Sequence, residues 1–131
     1  MKSLRILPVS LLLGSGLLLG LSGCTTVDLD ATGDTAAVYQ LNEFRMVVNT
    51  TAPVAFAATQ KAFRAMDLFE TKSQLNTYDG ELYARSRSDE KVYVSIAEIN
   101  SRQTLIKIRW SVTGDKKNST DLYKLIERNL H

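Results

Sequence analysis

The side chains that most often carry out chemistry in proteins are scarce in this chain. Its 131 residues include one cysteine, Cys24, and one histidine, His131. A Ser-His-Asp or Cys-His arrangement needs a histidine held inside a site, and we expect the terminal His131 to be exposed. A structural zinc site needs several cysteine or histidine ligands. The sequence therefore predicts neither a metal site nor a histidine- or cysteine-based enzyme.

Carboxylates are the remaining candidates for acid-base chemistry. The spacing of Asp28, Asp30 and Asp34 faintly resembles a calcium-binding loop, but the glycine and the final glutamate of such a loop are missing. Asp89 and Asp115 fall in predicted turns, where aspartate is common. Two carboxylates that flank a glycosidic bond can hydrolyse it, so the sequence leaves carboxylate-based glycan hydrolysis open.

Cys24 follows a segment with the pattern of a secretory signal peptide. Lys2 and Arg5 precede an apolar run over residues 6–21, and the tetrapeptide Leu21-Ser22-Gly23-Cys24 ends the segment. The run is shorter than the roughly 20 residues that a membrane-spanning helix needs. We therefore predict that residues 1–23 are a signal peptide. A single cysteine in a secreted chain cannot form an internal disulfide, so its thiol needs another role.

The tetrapeptide ending at Cys24 resembles the lipobox of bacterial lipoproteins. This resemblance implies that Cys24 carries a thioether-linked diacylglycerol and an amide-linked acyl chain such as palmitate, with no other cofactor. Two or more acyl chains anchor a protein stably, at about 0.8 kcal/mol per buried methylene. Thr25, rather than aspartate, follows Cys24. In enterobacteria-like lipoproteins this favours the periplasmic side of the outer membrane over the inner membrane.

Removal of the signal peptide makes the mature chain neutral. The full chain has 16 Lys and Arg against 14 Asp and Glu, and the loss of Lys2 and Arg5 leaves 14 of each. The basic excess therefore belongs to the targeting segment, and we do not expect a nucleic-acid partner. The mature chain, residues 24–131, has the length of one small domain.

The residue pattern divides the mature chain into two parts. Small and polar residues over 24–37 predict a lipidated N-terminus followed by a flexible tether. Residues 38–131 then form a single domain. Hydrophobic alternation predicts five strands, at 38–48, 72–78, 81–87, 91–99 and 104–113. Helical spacing predicts a helix over 54–69 and a second one that starts at Asn118 as its N-cap.

The order of these elements is β-α-β-β-β-β-α. Asp79-Gly80 is typical of a two-residue hairpin turn, since both residues tolerate positive φ. The order predicts an α+β two-layer sandwich in which an antiparallel sheet carries both helices on one face.

Tyrosines and cations are expected to share the sheet face away from the helices. If the strands pair as a meander, this face carries Tyr83, Arg85, Arg87, Tyr93, Lys107 and Arg109. On a neutral domain such a face would suit an anionic partner: a glycan, a lipid headgroup or an acidic protein surface. It is also the normal polar side of a half-exposed antiparallel sheet, and the sequence leaves both interpretations open.

The chain as a whole resembles a family of small bacterial lipoproteins known only as a domain of unknown function. The features that carry the resemblance are the lipobox at Cys24, the Ala-rich helix, Asp79-Gly80, the strand Ile106-Lys107-Ile108-Arg109, and Gly114-Asp115 followed by Ser119. The resemblance implies the family's fold and an envelope location, but no activity.

We therefore expect a lipid-anchored binding module in the periplasm, with an envelope protein or glycan as its partner. One alternative is an envelope enzyme that uses carboxylates on cell-wall glycan. Another is an immunity or stress lipoprotein that neutralises an envelope toxin.

Overall fold

Alternating apolar and polar residues build one antiparallel sheet in this protein. The structure is a computed structural model that describes residues 25–28 and 36–131. Its elements are β1 (Thr25–Asp28), β2 (Ala36–Gln40), β3 (Glu43–Val48), α1 (Ala52–Ala65), β4 (Phe69–Leu75), β5 (Asp79–Arg85), β6 (Lys91–Asn100), β7 (Gln103–Trp110) and α2 (Lys116–Arg128).

The sheet has the strand order β1-β2-β3-β7-β6-β5-β4. Every neighbouring pair is antiparallel. Helix α1 carries the chain from β3 to the far edge strand β4, and α2 packs against β3, β7 and α1. Both helices cover the same face, so the predicted α+β class, with two helices on one side of an antiparallel sheet, is confirmed.

The core lies between the helices and the central strands. Every second residue is buried along β7 and in the first six residues of β6, as in Val94, Ile106 and Ile108. The Phe44 ring of β3 packs on the Tyr123 ring of α2, with 5.1 Å between their centroids. The other face of the sheet carries no helix, and we call it the open face.

The first predicted strand, over residues 38–48, is a hairpin of two strands. Leu41 and Asn42 connect β2 to β3, and both have positive φ, 55° and 63°. A two-residue hairpin turn of type I′ requires positive φ at both central residues. The prediction of five strands was therefore too low: residues 36–131 hold six, and Thr25–Asp28 adds a seventh.

The predicted turn at Asp79-Gly80 was also wrong. Both residues belong to β5, where Gly80 pairs with Leu75 on one side and Ile96 on the other. An added Cβ on Gly80 would lie 3.0 Å from Phe56 Cδ2 and 3.1 Å from the Gln74 carbonyl oxygen. The glycine thus allows α1 to approach the sheet closely.

The helix boundaries differ from the predicted ones. Helix α1 spans Ala52–Ala65 rather than residues 54–69, and Phe69 opens β4. Asp115, not Asn118, is the N-cap of α2, since its side chain accepts a hydrogen bond of 2.9 Å from the Asn118 backbone N–H. This bond satisfies one of the free donors at the start of the helix.

The predicted signal peptide, residues 1–23, and the predicted lipidation site, Cys24, lie outside the described residues. Within the segment predicted as a tether, Thr25–Asp28 form β1 against β2, and residues 29–35 again lie outside the description. Across residues 25–28 and 36–131, no helix combines the length and apolar character needed to cross a membrane.

Candidate functional site

Register brings four side chains from four strands into one row on the open face. Tyr83 of β5 pairs with Tyr93 of β6, and Tyr93 pairs with Arg109 of β7. On the other side, Lys72 of β4 pairs with Tyr83. Directly paired residues of neighbouring strands share a face, so Lys72, Tyr83, Tyr93 and Arg109 lie side by side.

This row is part of a groove with a volume of about 480 Å³. The next cross-strand pair, Arg85 and Lys91, extends the groove towards one end of the sheet, where Val112 also lines it. The groove thus has four cationic side chains, one from each of β4, β5, β6 and β7. In the described part of the chain, no carboxylate lines it.

The two tyrosines form the centre of the groove. Their ring centroids are 4.8 Å apart with a tilt of 40°, and the Lys72 ammonium lies 5.6 Å from the Tyr83 centroid, within cation-π range. The Tyr93 hydroxyl donates to Glu81 Oε1 at 3.3 Å. Burial, more than the nearby Glu81, raises the pKa of Tyr93. The phenol is therefore neutral at physiological pH and keeps the proton that it donates to Glu81.

Two of the groove cations already have carboxylate partners. Arg85 Nη1 lies 2.6 Å from Asp89 Oδ1, and Arg109 Nη2 lies 3.9 Å from Glu43 Oε2. The exposed Arg85–Asp89 pair contributes only about 0.2–1 kcal/mol. The Arg109–Glu43 pair involves a mostly buried carboxylate, but its atoms lie at the limit of ion-pair distance, so a ligand can compete with both pairs. For Lys72 and Lys91, the described residues place no carboxylate within ion-pair distance.

Four of the six predicted face residues line the groove: Tyr83, Arg85, Tyr93 and Arg109. Lys107 lies on the open face in the next row, opposite Ser95 and Arg45, and outside the groove. Arg87 lies beyond the end of β5, and its Nη2 is 3.5 Å from Asp67 Oδ2. The structure therefore does not bring Arg87 or Lys107 together with the other four.

Sequence reasoning missed Lys72 and Lys91. Lys91 could have been predicted from the sequence, since it stands two residues before Tyr93 and so lies on the same side of the strand. Lys72 could not have been predicted in this way, because the pairing of β4 with β5 shifts register between Glu70 and Lys72. A bulge of this kind reverses the face on which later residues lie.

Two carboxylates of the open face lie in a separate, smaller depression of about 270 Å³. Asp79 and Glu81 line it from the same strand, two residues apart. Asp79 Oδ1 accepts from the Asn76 amide at 2.7 Å, and Glu81 accepts from Tyr93. Among the residues that the structure describes, no three His, Cys, Asp or Glu side chains come together as a metal site. Asp30 and Asp34 of the predicted tether lie outside that part.

Comparison with known families supports the kinship expected from the sequence. A family model described as "Protein of unknown function (DUF3568)" matches residues 7–129, which is nearly the whole chain. The predicted relation to a family of unknown function is thereby confirmed. A search of curated proteins returned no match.

Proposed function

We propose that this chain, which belongs to the DUF3568 family of proteins of unknown function, is a lipid-anchored binding module of the bacterial envelope. Acyl groups on Cys24 hold it at the periplasmic side of the outer membrane, and the groove on the open face binds an anionic glycan. The observation that carries the proposal is the groove itself, in which cations from four strands surround a tyrosine pair.

The charge of the groove favours an anionic ligand. Lys72, Arg85, Lys91 and Arg109 line it, whereas the mature chain has equal numbers of acidic and basic residues. A depression lined by one sign of charge raises the local concentration of ions of opposite sign. Carboxylate or phosphate groups on a ligand would pair with these cations.

The two tyrosines favour a sugar chain as the carrier of that charge. Aromatic rings present flat apolar faces, and sugar rings present flat faces of C–H groups that pack against them. Tyr83 and Tyr93 are each half-buried and fixed by their strands, so little conformational entropy is lost on binding. The groove volume of about 480 Å³ falls in the range of about 300–1,000 Å³ that is usual for ligand sites.

The test uses a defined acidic sugar chain and its neutral counterpart. Oligogalacturonate carries one carboxylate per ring, and its methyl ester has the same rings without charge. We expect the full-length lipoprotein in detergent micelles to bind the acid in a calorimetric titration and not the ester. Binding should weaken as salt is added, because exposed charges are screened. Equal binding of the ester would overturn the role of the cations.

Arg109→Gln and Lys107→Gln form a matched pair of variants. Each removes one positive charge from the same strand and the same face, but only Arg109 lines the groove. Loss of a charged hydrogen bond of about 1.5–3 kcal/mol should weaken oligogalacturonate binding roughly ten- to a hundredfold in Arg109→Gln. Glu43 keeps its contact with Arg45 at 3.0 Å, so folding should be unaffected. Equal weakening in Lys107→Gln would refute a site in the groove.

A further inference from the structure

The chain enters the sheet at one particular end. Thr25, the first residue of β1, pairs with Tyr39, close to the β2–β3 turn at Leu41 and Asn42. Residue 24 is one peptide bond away, about 3.8 Å between Cα atoms. An anchor on Cys24 would therefore hold this end of the sheet close to the bilayer.

Two strongly exposed apolar side chains lie at the same end. Leu41 is 74% exposed and Val112 is 81% exposed. They belong to neighbouring turns, since an added Cβ on Gly114 would lie 2.6 Å from Asn42 Cβ. We call the surface formed by Leu41 and Val112 the anchor-end surface.

The backbone at Leu41 gives a second, independent indication. Its φ of 55° lies in the left-handed region, which glycine and asparagine adopt far more readily than leucine. Turn geometry and exposure to water would both favour a polar residue at this position. A leucine that is both strongly exposed and left-handed indicates that an apolar environment covers it when the protein is at its site in the cell.

Several basic residues lie near the anchor-end surface, together with the carboxylates Glu43 and Asp115 that flank the two turns. Lys91 and Arg109 line the groove together with Val112, and Lys116 and Lys117 open α2 directly after the turn that holds Val112. Basic residues beside apolar side chains suit a surface of anionic phospholipid headgroups over acyl chains.

We infer that the anchor-end surface lies against the phospholipid bilayer, with Leu41 and Val112 inserted at the headgroup boundary. This inference rests on the lipid anchor of the proposed function, and it adds a second contact that fixes the orientation of the domain. The bilayer is favoured over a protein partner because β1 begins at this end, directly after the proposed anchor residue in the sequence.

The test places a photo-crosslinking residue, p-benzoylphenylalanine, at position 41, 112 or 99 of the full-length protein made in bacteria. Ile99 is the matched control, because it is 55% exposed and lies near the end of β6, beside the β6–β7 turn at the opposite end of the sheet. After irradiation, mass spectrometry should find phospholipid adducts at positions 41 and 112 and none at position 99. Equal yields at all three positions, or protein adducts in place of lipid at 41 and 112, would overturn the inference.

Labelled palmitate separates failure of this inference from failure of the anchor. The wild type and the three crosslinking variants should incorporate the label, and Cys24→Ala should not. If the label is incorporated but positions 41 and 112 give no phospholipid adduct, the anchor stands and the orientation is wrong. If Cys24→Ala incorporates as much label as the wild type, the anchor on Cys24 fails and the inference fails with it.

Discussion

Gly114 lies in the turn after β7 and packs closely against the β2–β3 turn. Its replacement by alanine should destabilise the protein strongly. Its φ is 83°, in the left-handed region where a side chain is disfavoured. An added Cβ would collide with the Tyr39 hydroxyl oxygen and would lie 2.6 Å from Asn42 Cβ and 3.0 Å from Asn42 Cα. One of these neighbours is backbone, so the turn itself would have to move.

The expected loss has two parts. The left-handed conformation costs an alanine about 1–2 kcal/mol, and forcing extra atoms into a packed site costs about 1–3 kcal/mol. Together they lower the free energy of unfolding by about 2–5 kcal/mol, a large share of the roughly 5–15 kcal/mol that is typical of a whole domain. For a domain of this size, we expect the thermal midpoint to fall by about 8–20 °C.

Trp110 provides the assay. It is the only tryptophan of the chain, it is buried at the end of β7, and its Nε1–H donates to Glu90 Oε1 at 3.3 Å. Its fluorescence during heating should therefore report on unfolding close to the turn. Gly114→Ala combined with Tyr39→Phe should recover part of the loss, because the colliding hydroxyl is gone while Asn42 remains.

The refuting result is a small effect. If Gly114→Ala unfolds within about 2 °C of the wild type, the turn after β7 does not press against the β2–β3 turn as described. The contact between these two turns, which places Leu41 and Val112 on one surface, would then be wrong.

Two further predictions concern Leu41 and Tyr123. Leu41→Asn should leave the thermal midpoint unchanged or raised, because asparagine adopts positive φ more readily and removal of an exposed leucine leaves no cavity. In the same variant, phospholipid crosslinking from position 112 should fall. A marked drop in its midpoint would instead give Leu41 a structural role. Burial, followed by the nearby Glu127, raises the pKa of Tyr123 above its usual 10.0, so above pH 10 the unfolded chain loses a proton that the folded protein keeps. The stabilisation is complete below pH 10 and is lost as pH rises further. Tyr123→Phe should flatten the decline of stability measured above pH 10, and an unchanged slope would contradict this account.

Hydrophobic periodicity was sufficient to predict the elements with one continuous buried side. In β7, Ile106, Ile108 and Trp110 alternate with exposed or half-buried residues, and in α2, Leu122 and Ile126 repeat at helical spacing. In each case, burial against the rest of the core enforces the same period that the sequence shows. The α+β class followed from these elements and their order.

The turns were less predictable, because their causes are not local. Asn42 is a usual turn residue, but the apolar Leu41 stands beside it, and the segment from Val38 to Val48 was therefore predicted as one strand. Asp79-Gly80 is a sequence typical of turns, but the missing side chain of Gly80 instead allows Phe56 of α1 to pack closely against the sheet. A glycine needed for packing cannot be distinguished from a turn glycine in the sequence alone.

The groove was predictable as a face but not as a site. Alternation places Tyr83, Tyr93 and Arg109 on one side of the sheet, and sequential hairpins make them neighbours. The separation of Lys107 from the groove depends on which row each residue occupies, and that is set by register. Lys72 joins the row only through the irregular pairing of β4, which no pattern in the sequence reveals.

The groove and the anchor-end surface share one residue, and this restricts the proposed ligand. Val112 lines the groove and is also one of the two apolar residues proposed to enter the headgroup boundary. A glycan in the groove would therefore lie beside the bilayer, not at the far end of the domain. Because β1 begins at Thr25, directly after Cys24, the described sheet starts with almost no free chain next to the proposed anchor. The proposed module is thus restricted to anionic glycans that are carried on, or pass close to, the membrane that holds it.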